Sequence, residues 1–152
     1  MDTISQKGIV LKKLLLSTLI LTSLSASELI QIHTSMNVNQ CTNAIVKAID
    51  TKKDFGVFTV IDHQKNAQKV GMDLPAQKII IFGNPKAGTL LIQADAQIGY
   101  DLPLRIMVRS ENGKTVVEYR DPKQYKTMYQ LNKSPLPNKM SKLLNGLAYS
   151  CQ

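Results

Sequence analysis

A hairpin signal in the second half of the chain constrains the fold more than any other feature of the sequence. Glu111-Asn112-Gly113-Lys114 separates two runs rich in apolar and β-branched residues, at positions 104–110 and 115–120. Both central positions of a tight hairpin turn require a positive φ, which asparagine and glycine adopt most readily. The pattern predicts two adjacent antiparallel strands, so the fold must contain an antiparallel sheet.

Three further segments are predicted strands. Ile30 and Ile32 alternate with polar residues, and residues 56–62 (GVFTVID) are rich in β-branched and aromatic side chains, which favour strands. Residues 78–83 (KIIIFG) are the most apolar of these runs, a composition typical of a central strand.

Apolar residues at helical spacing predict helices between and after these strands, with Asn37 or Ser35 as the cap of the first. The predicted helices cover residues 38–49, 64–70, 86–99 and 140–147. Strands followed by helices in this order are typical of an α+β fold. We expect an antiparallel sheet of about four to five strands with helices packed on one face, and a C-terminal helical extension from about residue 122.

The first 27 residues have the pattern of a secretory signal peptide. Lys12-Lys13 precede an apolar run of 11 residues at 14–24, and Ser25-Ala26-Ser27 supplies small residues for cleavage. The run is shorter than the roughly 20 residues of a membrane-spanning helix. A buried first helix is the structural alternative. We expect residues 1–27 to be removed and residues 28–152 to form one α+β domain with no membrane span, periplasmic or secreted.

Export changes the interpretation of the two cysteines. In an oxidising compartment, Cys41 and Cys151 are candidates for one disulfide. Cys41 lies in the first turn of the first predicted helix, and Cys151 lies at the end of the last one. The sequence leaves an alternative open, in which Cys41 is a buried thiol and Cys151 is unpaired.

The chain is basic, with a formal charge of +8, of which +6 belongs to residues 28–152. Six basic residues and a single acid, Asp121, lie between Arg120 and Lys142. Tyr125 and Tyr129 are four residues apart, which places both on one helical face, where packing is favoured over stacking on bases. Nucleic acid is therefore disfavoured as a partner. A basic helical surface could instead dock on another protein or form a homodimer.

One segment resembles a phosphate-binding loop without completing the motif. Gly83-Asn84-Pro85-Lys86-Ala87-Gly88-Thr89 follows a predicted strand and has two glycines at the required spacing. Thr89 stands where the motif requires a lysine before serine or threonine, so the segment fails as a nucleoside triphosphate site. A turn that carries Asn84 and Lys86 could still hold a small anion at a helix start. A plain tight turn is the alternative.

His63 follows Asp62 at the end of a predicted strand, where connecting segments carry function on a rigid scaffold. A histidine oriented by a carboxylate is suited to act as a general base or as a metal or haem ligand. Neither His63 nor the other histidine, His33, has a partner at metal-ligand spacing. The sequence therefore assigns no metal site and no catalytic residue, and a structural role for His63 is the alternative.

The polar candidates all follow or precede predicted strands. Asp62 and His63 end one strand, Asn84 and Lys86 follow another, and Asp101 precedes a third. We therefore consider these five residues candidates for one shared ligand-binding cleft. The hypothesis depends on topology, because antiparallel neighbours place their C-terminal ends at opposite edges of a sheet.

Several segments together resemble one bacterial family. They are Asp62-His63 with Ala67 and Gly71, IIIFGNPKAGT at 79–89, GYDLPLR at 99–105 and YRDP at 119–122. In this order they are similar to the family known as domain of unknown function 302, over residues 29–131. The resemblance implies an α+β domain similar to the TATA-binding-protein-like arrangement of strand, helix, four strands and helix. It implies no established activity, but it places His63, Asn84 and Asp101 at motif positions.

These features indicate a non-catalytic binding module for a small ligand, anion, metal or haem, and the sequence identifies no cofactor. The alternatives are a hydrolase-like enzyme that uses Asp62 and His63, and a dimerising interaction module with a basic helical surface. An open pocket that contains His63 would favour the first two functions. A sealed, hydrogen-bonded His63 would favour the third.

The signal-peptide interpretation predicts where the mature chain begins. N-terminal sequencing of the exported protein should start near Glu28, because the small residues Ser25-Ala26-Ser27 precede it. A mature protein that retains the apolar run at residues 14–24 would contradict this prediction.

Overall fold

The computed structural model describes residues 29–152, so the predicted export signal lies outside the described residues. Five strands and five α-helices follow one another along this part of the chain. The strands are β1 (Leu29–Thr34), β2 (Gly56–Asp62), β3 (Gln77–Gly83), β4 (Leu104–Glu111) and β5 (Lys114–Arg120). The helices are α1 (Val38–Asp50), α2 (His63–Lys69), α3 (Pro85–Ala94), α4 (Tyr125–Met128) and α5 (Leu136–Ala148).

The strands form one sheet in the order β1-β5-β4-β3-β2, and every neighbouring pair is antiparallel. β1 and β2 therefore occupy opposite edges, although α1 alone separates them in sequence. α1 crosses between these edges and packs against β2, β3 and β4. The predicted α+β class is confirmed. Relative to the expected order of strand, helix, four strands and helix, α2 is inserted between β2 and β3, and α3 between β3 and β4.

α1 begins at Asn37, one of the two predicted caps. The Asn37 side chain accepts a hydrogen bond from the backbone N–H of Gln40 at 2.9 Å, and the Gln40 side chain accepts one from the Asn37 N–H at 3.1 Å. This reciprocal arrangement satisfies two N–H groups at a helix start that otherwise lack partners. The helix then buries Val38, Cys41 and Ile45 on one face, as the spacing predicts.

The core lies between one face of the sheet and the two long helices. Ile80 and Phe82 of β3 and Ile106 and Val108 of β4 are fully buried because alternate residues of a strand share a face. They pack in one cluster with side chains from α1 and α5, which include Ile45, Ile49, Leu144 and Leu147. The prediction that helices gather on one face of the sheet therefore holds for these two helices.

The opposite face of the sheet carries a buried carboxylate. Glu118, 3% exposed, receives two hydrogen bonds from Arg109, at 2.8 Å from Nε and 2.7 Å from Nη2, and one at 2.6 Å from Gln31. Hydrogen bonding by Arg109 lowers the pKa of Glu118, against the opposing effect of burial. This ion pair is stronger than one made through a single hydrogen bond, because two parallel charge-assisted hydrogen bonds join the guanidinium of Arg109 to the carboxylate of Glu118.

The helix predicted over residues 86–99 is shorter in the structure. α3 ends at Ala94, and Asp95 has extended backbone angles, with φ −152° and ψ 111°. The Asp95 carboxylate accepts from the N–H of Gln97 at 3.0 Å and starts a short 3₁₀ helix over Ala96–Tyr100. The apolar spacing predicts one continuous helix here, but the helix ends because the Asp95 side chain caps a new turn.

The predicted pairing of the cysteines is confirmed, since Cys41 and Cys151 form a disulfide. Further contacts hold the C-terminal end beside β1. The Thr34 hydroxyl donates to the Cys151 carbonyl, and the Gln152 side chain donates to the His33 carbonyl at 3.0 Å. The end of the described chain is therefore fixed to the first strand and the first helix.

Loss of the disulfide should destabilise the fold strongly. The bond closes a sequence separation of 110 residues, and a loop of this length corresponds to roughly 4 to 5 kcal/mol in the chain-entropy account. Urea unfolding of Cys41→Ser/Cys151→Ser, compared with the oxidised protein, measures the difference. An unchanged midpoint, or two alkylatable thiols in native protein, would contradict the bridge.

Glu118→Gln should lower the free energy of unfolding by about 2 kcal/mol at neutral pH, because Arg109 loses its buried partner. Because its folded pKa is depressed below the ordinary 4.5, Glu118 stabilises the fold above that value, and this stabilisation is lost as pH falls through the folded pKa. Urea unfolding should therefore show a difference in the free energy of unfolding between the unmodified protein and Glu118→Gln at neutral pH, and this difference should disappear in acid. The control is Glu111→Gln, which removes the more exposed partner of Arg109 and should cost less than ~0.5 kcal/mol.

Candidate functional site

The antiparallel pairing divides the five candidate residues between two ends of the sheet. Asp62 is paired with Lys78 at the start of β3, whereas Gly83, at the end of β3, precedes Asn84. At about 3.4 Å per residue, the length of β3 separates Asp62 and His63 from Asn84 by roughly 15 to 20 Å. The single cleft expected from the sequence is therefore not formed by this topology.

Asp62 and His63 lie where β2 meets α2. The Asp62 carboxylate accepts the Lys65 N–H at 3.0 Å as a helix cap and lies 3.3 Å from the Lys78 ammonium. The backbone hydrogen bond from Lys65 lowers the pKa of Asp62, and Lys78 contributes in the same direction. No hydrogen bond among the described residues joins this carboxylate to His63, which is the first residue of α2.

Asn84 and Lys86 lie at the other end of the sheet, at the turn from β3 into α3. The Asn84 side chain accepts the Ala87 N–H at 3.1 Å, and its carbonyl accepts the Gly88 N–H at 2.9 Å. Both N–H groups are therefore used within the helix start, which weakens the anion-site interpretation of this turn. Lys86 is exposed on the first turn of α3.

An apolar cleft of about 300 Å³ opens beside this turn. Every residue of the 83–89 segment except Lys86 lines it, and so do Gly99, Leu102, Pro103 and Leu104 from the connection before β4. Phe55, Leu91 and Met140 complete much of the apolar wall. Asn84 is a polar group at its border, so one of the five candidate residues lines this cleft.

Phe58 reaches the cleft because β2 is irregular at this position. The pairing of β2 with β3 shifts between Val57 and Thr59, which leaves Phe58 as the extra residue of a bulge. Bulges redirect a side chain relative to the regular alternation of a strand. The Phe58 ring lines the cleft beside Gly83, where an added Cβ would lie 3.3 Å from the ring, and the side chain remains 54% exposed.

Asp101 lines a second cavity, of about 210 Å³, at the same end of the sheet. Its carboxylate accepts a hydrogen bond from the Tyr129 hydroxyl, which raises the pKa of Tyr129 to about 12. Tyr129 packs edge-on against Tyr125, with ring centroids 5.8 Å apart, as the spacing of these two tyrosines predicts. Asp101 is thereby connected to the basic segment that follows β5.

The sequence interpretation missed three groups that line these cavities. Phe58 was hidden because a bulge leaves no mark in an alternating pattern. Arg105 and Arg120 line the cavity of Asp101. Counting outward from the Asn112-Gly113 turn does not reach them, because the pairing of β4 with β5 ends at Met107 and Glu118.

No group of three or more histidine, cysteine, aspartate or glutamate side chains within residues 29–152 is placed to hold a metal ion. None of the helices in the same range is long and apolar enough to cross a membrane.

The fold and its connecting segments define an α+β domain with a five-stranded antiparallel sheet and open cavities at one end. The chain belongs to the family described as Domain of unknown function DUF302, whose model matches residues 30–147. The crystal structure of uncharacterized conserved protein DUF302 from Bacillus stearothermophilus is similar in fold. It has a TM-score of 0.69 and 20% identity, and the match covers 82% of this chain and 98% of that one.

Part of the chain is also similar to longer curated proteins. The Fluoride-specific ion channel FluC 1 of Brucella suis biovar 1 (strain 1330) is 43% identical over 67 residues, which cover 43% of this chain and 26% of that protein. The Fluoride-specific ion channel FluC 2 of Brucella melitensis biotype 1 matches with the same identity over 25% of its length. The chain thus spans about a quarter of the length of the curated relatives it matches.

Proposed function

We propose that this protein is a non-catalytic module that binds a small, mainly apolar molecule in the cleft between the β3–α3 turn and the 99–104 connection. We also propose that it acts as one exported domain after removal of residues 1–27. A disulfide between Cys41 and Cys151 supports an oxidising compartment, because such bonds persist in secreted and periplasmic proteins.

One observation carries the binding proposal. The two segments with the most distinctive sequence, 79–89 and 99–105, each contribute several residues to the same cleft. The chain leaves the sheet after the first segment, forms α3 and the 3₁₀ helix, and returns to it through the second. The motif residues Gly83, Asn84, Leu102 and Pro103 therefore share one role, as the walls of one concave surface.

The chemistry of the walls favours an apolar ligand. Phe58 and Ile92 line the cleft and remain 54% and 43% exposed, although both are large apolar side chains. Apolar area left open in a concave surface is typical of a ligand site, and a volume of about 300 Å³ is at the lower end of the range for such sites. The ligand is therefore small, and the Asn84 side chain is available to orient it, whereas the Thr89 hydroxyl donates to the Pro85 carbonyl.

The channel activity named for the Brucella relatives is not part of this proposal. The matched segment covers about a quarter of those proteins. The hydrolase-like alternative has no added support, because the Asp62 carboxylate interacts with Lys65 and Lys78.

Gly88→Leu should block the cleft without disturbing the fold. Gly88 lines the cleft, and an added Cβ would meet no atom within 4 Å, so a leucine side chain can enter the open space. Leucine also favours the helix over glycine by roughly 0.5 to 1 kcal/mol, which protects stability. With the neutral fluorescent probe N-phenyl-1-naphthylamine, binding to the variant should be about tenfold weaker or lost.

The matched control is Gly146→Leu in α5. Gly146 is an exposed helical glycine whose added Cβ also meets no atom within 4 Å, and it does not line the cleft. Equal probe binding by both leucine variants, or none by the unmodified protein, would refute the proposal. If the probe binds as expected, native mass spectrometry of protein purified from the periplasm should identify the natural ligand from the mass that it adds to the protein.

A further inference from the structure

Several large apolar side chains at the cavity end of the sheet remain exposed outside the apolar cleft. Tyr100 is 89% exposed, Leu90 52% and Met128 48%, and none of the three lines the cleft. A ligand bound in the cleft would therefore leave them uncovered. A single exposed apolar side chain needs no explanation, but several in adjoining segments indicate an interaction surface.

Leu90 and Tyr100 belong to two helices that pack against each other. α3, which carries Leu90, contacts mainly the 3₁₀ helix over Ala96–Tyr100 and buries a single residue of its own. The approach is close, because a Cβ added to Gly99 would lie 3.9 Å from the Ile92 side chain. The helix pair therefore carries two exposed apolar side chains at one end of the sheet.

Met128 lies in a segment that is held beside the same two helices. The Tyr129 hydroxyl donates to Asp101 at one end of the 3₁₀ helix. The Gln130 N–H donates to Asp95 at the other end, at 3.0 Å. The three exposed side chains thus belong to adjoining segments, and together we call them the apolar rim. The apolar rim consists of Leu90, Tyr100 and Met128.

The segments that carry the apolar rim have an excess of positive charge. Residues 120–142 contain six basic residues and one acid, Asp121, and Lys86 adds a seventh positive charge in α3. The other acids of these segments are Asp95 and Asp101, which bind residues 129 and 130. None of the ion pairs among residues 29–152 includes any of the seven basic residues. Seven positive charges against three negative ones make this a surface that attracts anions.

We propose that this end of the protein docks on an anionic phospholipid membrane, with the apolar rim inserted among the headgroups and the basic segment 120–142 against their phosphates. Peripheral membrane binding combines buried apolar area with attraction to anionic lipids, and this surface supplies both. Tyrosine is favoured at the membrane interface, whereas Leu90 and Met128 offer no ring on which nucleic-acid bases could stack. A protein partner would need a fitted surface of about 800 Å² on each side, but a bilayer accepts separate side chains without a matching shape.

Vesicle flotation measures this docking directly. Protein purified from the periplasm should float with vesicles made of phosphatidylglycerol and phosphatidylcholine in equal parts, and should not float with vesicles of phosphatidylcholine alone. High salt should weaken the binding, because screening reduces the attraction between the basic residues and the headgroups. Equal binding to both kinds of vesicle, or no binding to the anionic ones, would refute the proposal.

Leu90→Gln/Tyr100→Gln should weaken binding to the anionic vesicles about tenfold, because it removes apolar area that enters the bilayer. Both side chains are exposed, so the variant should keep the fold, and an unchanged unfolding temperature verifies this. The matched control is Val70→Gln/Met72→Gln, which removes two apolar side chains, 70% and 64% exposed, that follow α2 at the other end of the sheet. The control should bind like the unmodified protein, and an equal loss in both variants would overturn the assignment of the surface.

A second pair of variants tests the contribution of charge. Lys123→Gln/Lys133→Gln removes two exposed lysines of the basic segment and should weaken binding about tenfold. Lys65→Gln/Lys69→Gln removes the same charge from exposed residues of α2 and should change binding by less than about twofold. If the loss of Lys123 and Lys133 weakens binding but the loss of the apolar rim does not, the surface attracts anions without insertion, and the membrane assignment is wrong.

The docking surface does not depend on a ligand in the apolar cleft. Gly88→Leu should bind the anionic vesicles like the unmodified protein, although it should lose the fluorescent probe. Failure of the apolar-ligand proposal therefore cannot be mistaken for failure of this one. Loss of vesicle binding in Gly88→Leu would contradict a docking surface separate from the cleft.

Discussion

The antiparallel register of the five strands is the constraint on which the rest of the structure depends. Because β3 runs opposite to both β2 and β4, the connections after β3, before β4 and after β5 all meet at one end of the sheet. Both cavities form there, from segments that are distant in sequence. The same register sends Asp62 and His63 to the other end, where Asp62 serves as a helix cap. The strand directions therefore decide at which end of the sheet each of the five candidate residues lies.

The sequence predicted the fold well where a local rule determines the structure. The Asn112-Gly113 turn, the capping of α1 at Asn37 and the pairing of the cysteines all appear in the structure as expected. The candidate site was less predictable, because sharing a cleft depends on strand order, which no local pattern reports. Two local features also escaped prediction. The bulge in β2 that exposes Phe58 comes from one irregular strand pairing, and the end of α3 at Ala94 comes from the cap formed by Asp95.

The short 99–104 connection borders both cavities and contributes different side chains to each. Leu102 and Pro103 line the apolar cleft, Asp101 lines the second cavity, and Leu104 lines both. Hydrogen bonds from the segment after β5 hold this connection and the 3₁₀ helix before it, since Tyr129 donates to Asp101 and the Gln130 N–H donates to Asp95 at 3.0 Å. Tyr125 itself lines the second cavity and packs against Tyr129, so this tyrosine pair connects the segment after β5 to that cavity. The basic segment thus has a structural connection to the sites, apart from any role as a surface.

The position of Cys151 also has a consequence for the order in which the fold can be covalently closed. A ribosome makes the chain from its N-terminus, so all five strands and α5 are synthesised before this cysteine. Covalent closure with Cys41 can follow only when the last helix has been made and brought beside the first. A chain that lacks Cys151 leaves Cys41 without its disulfide partner. The bond therefore records covalently that α5 has come to lie beside α1.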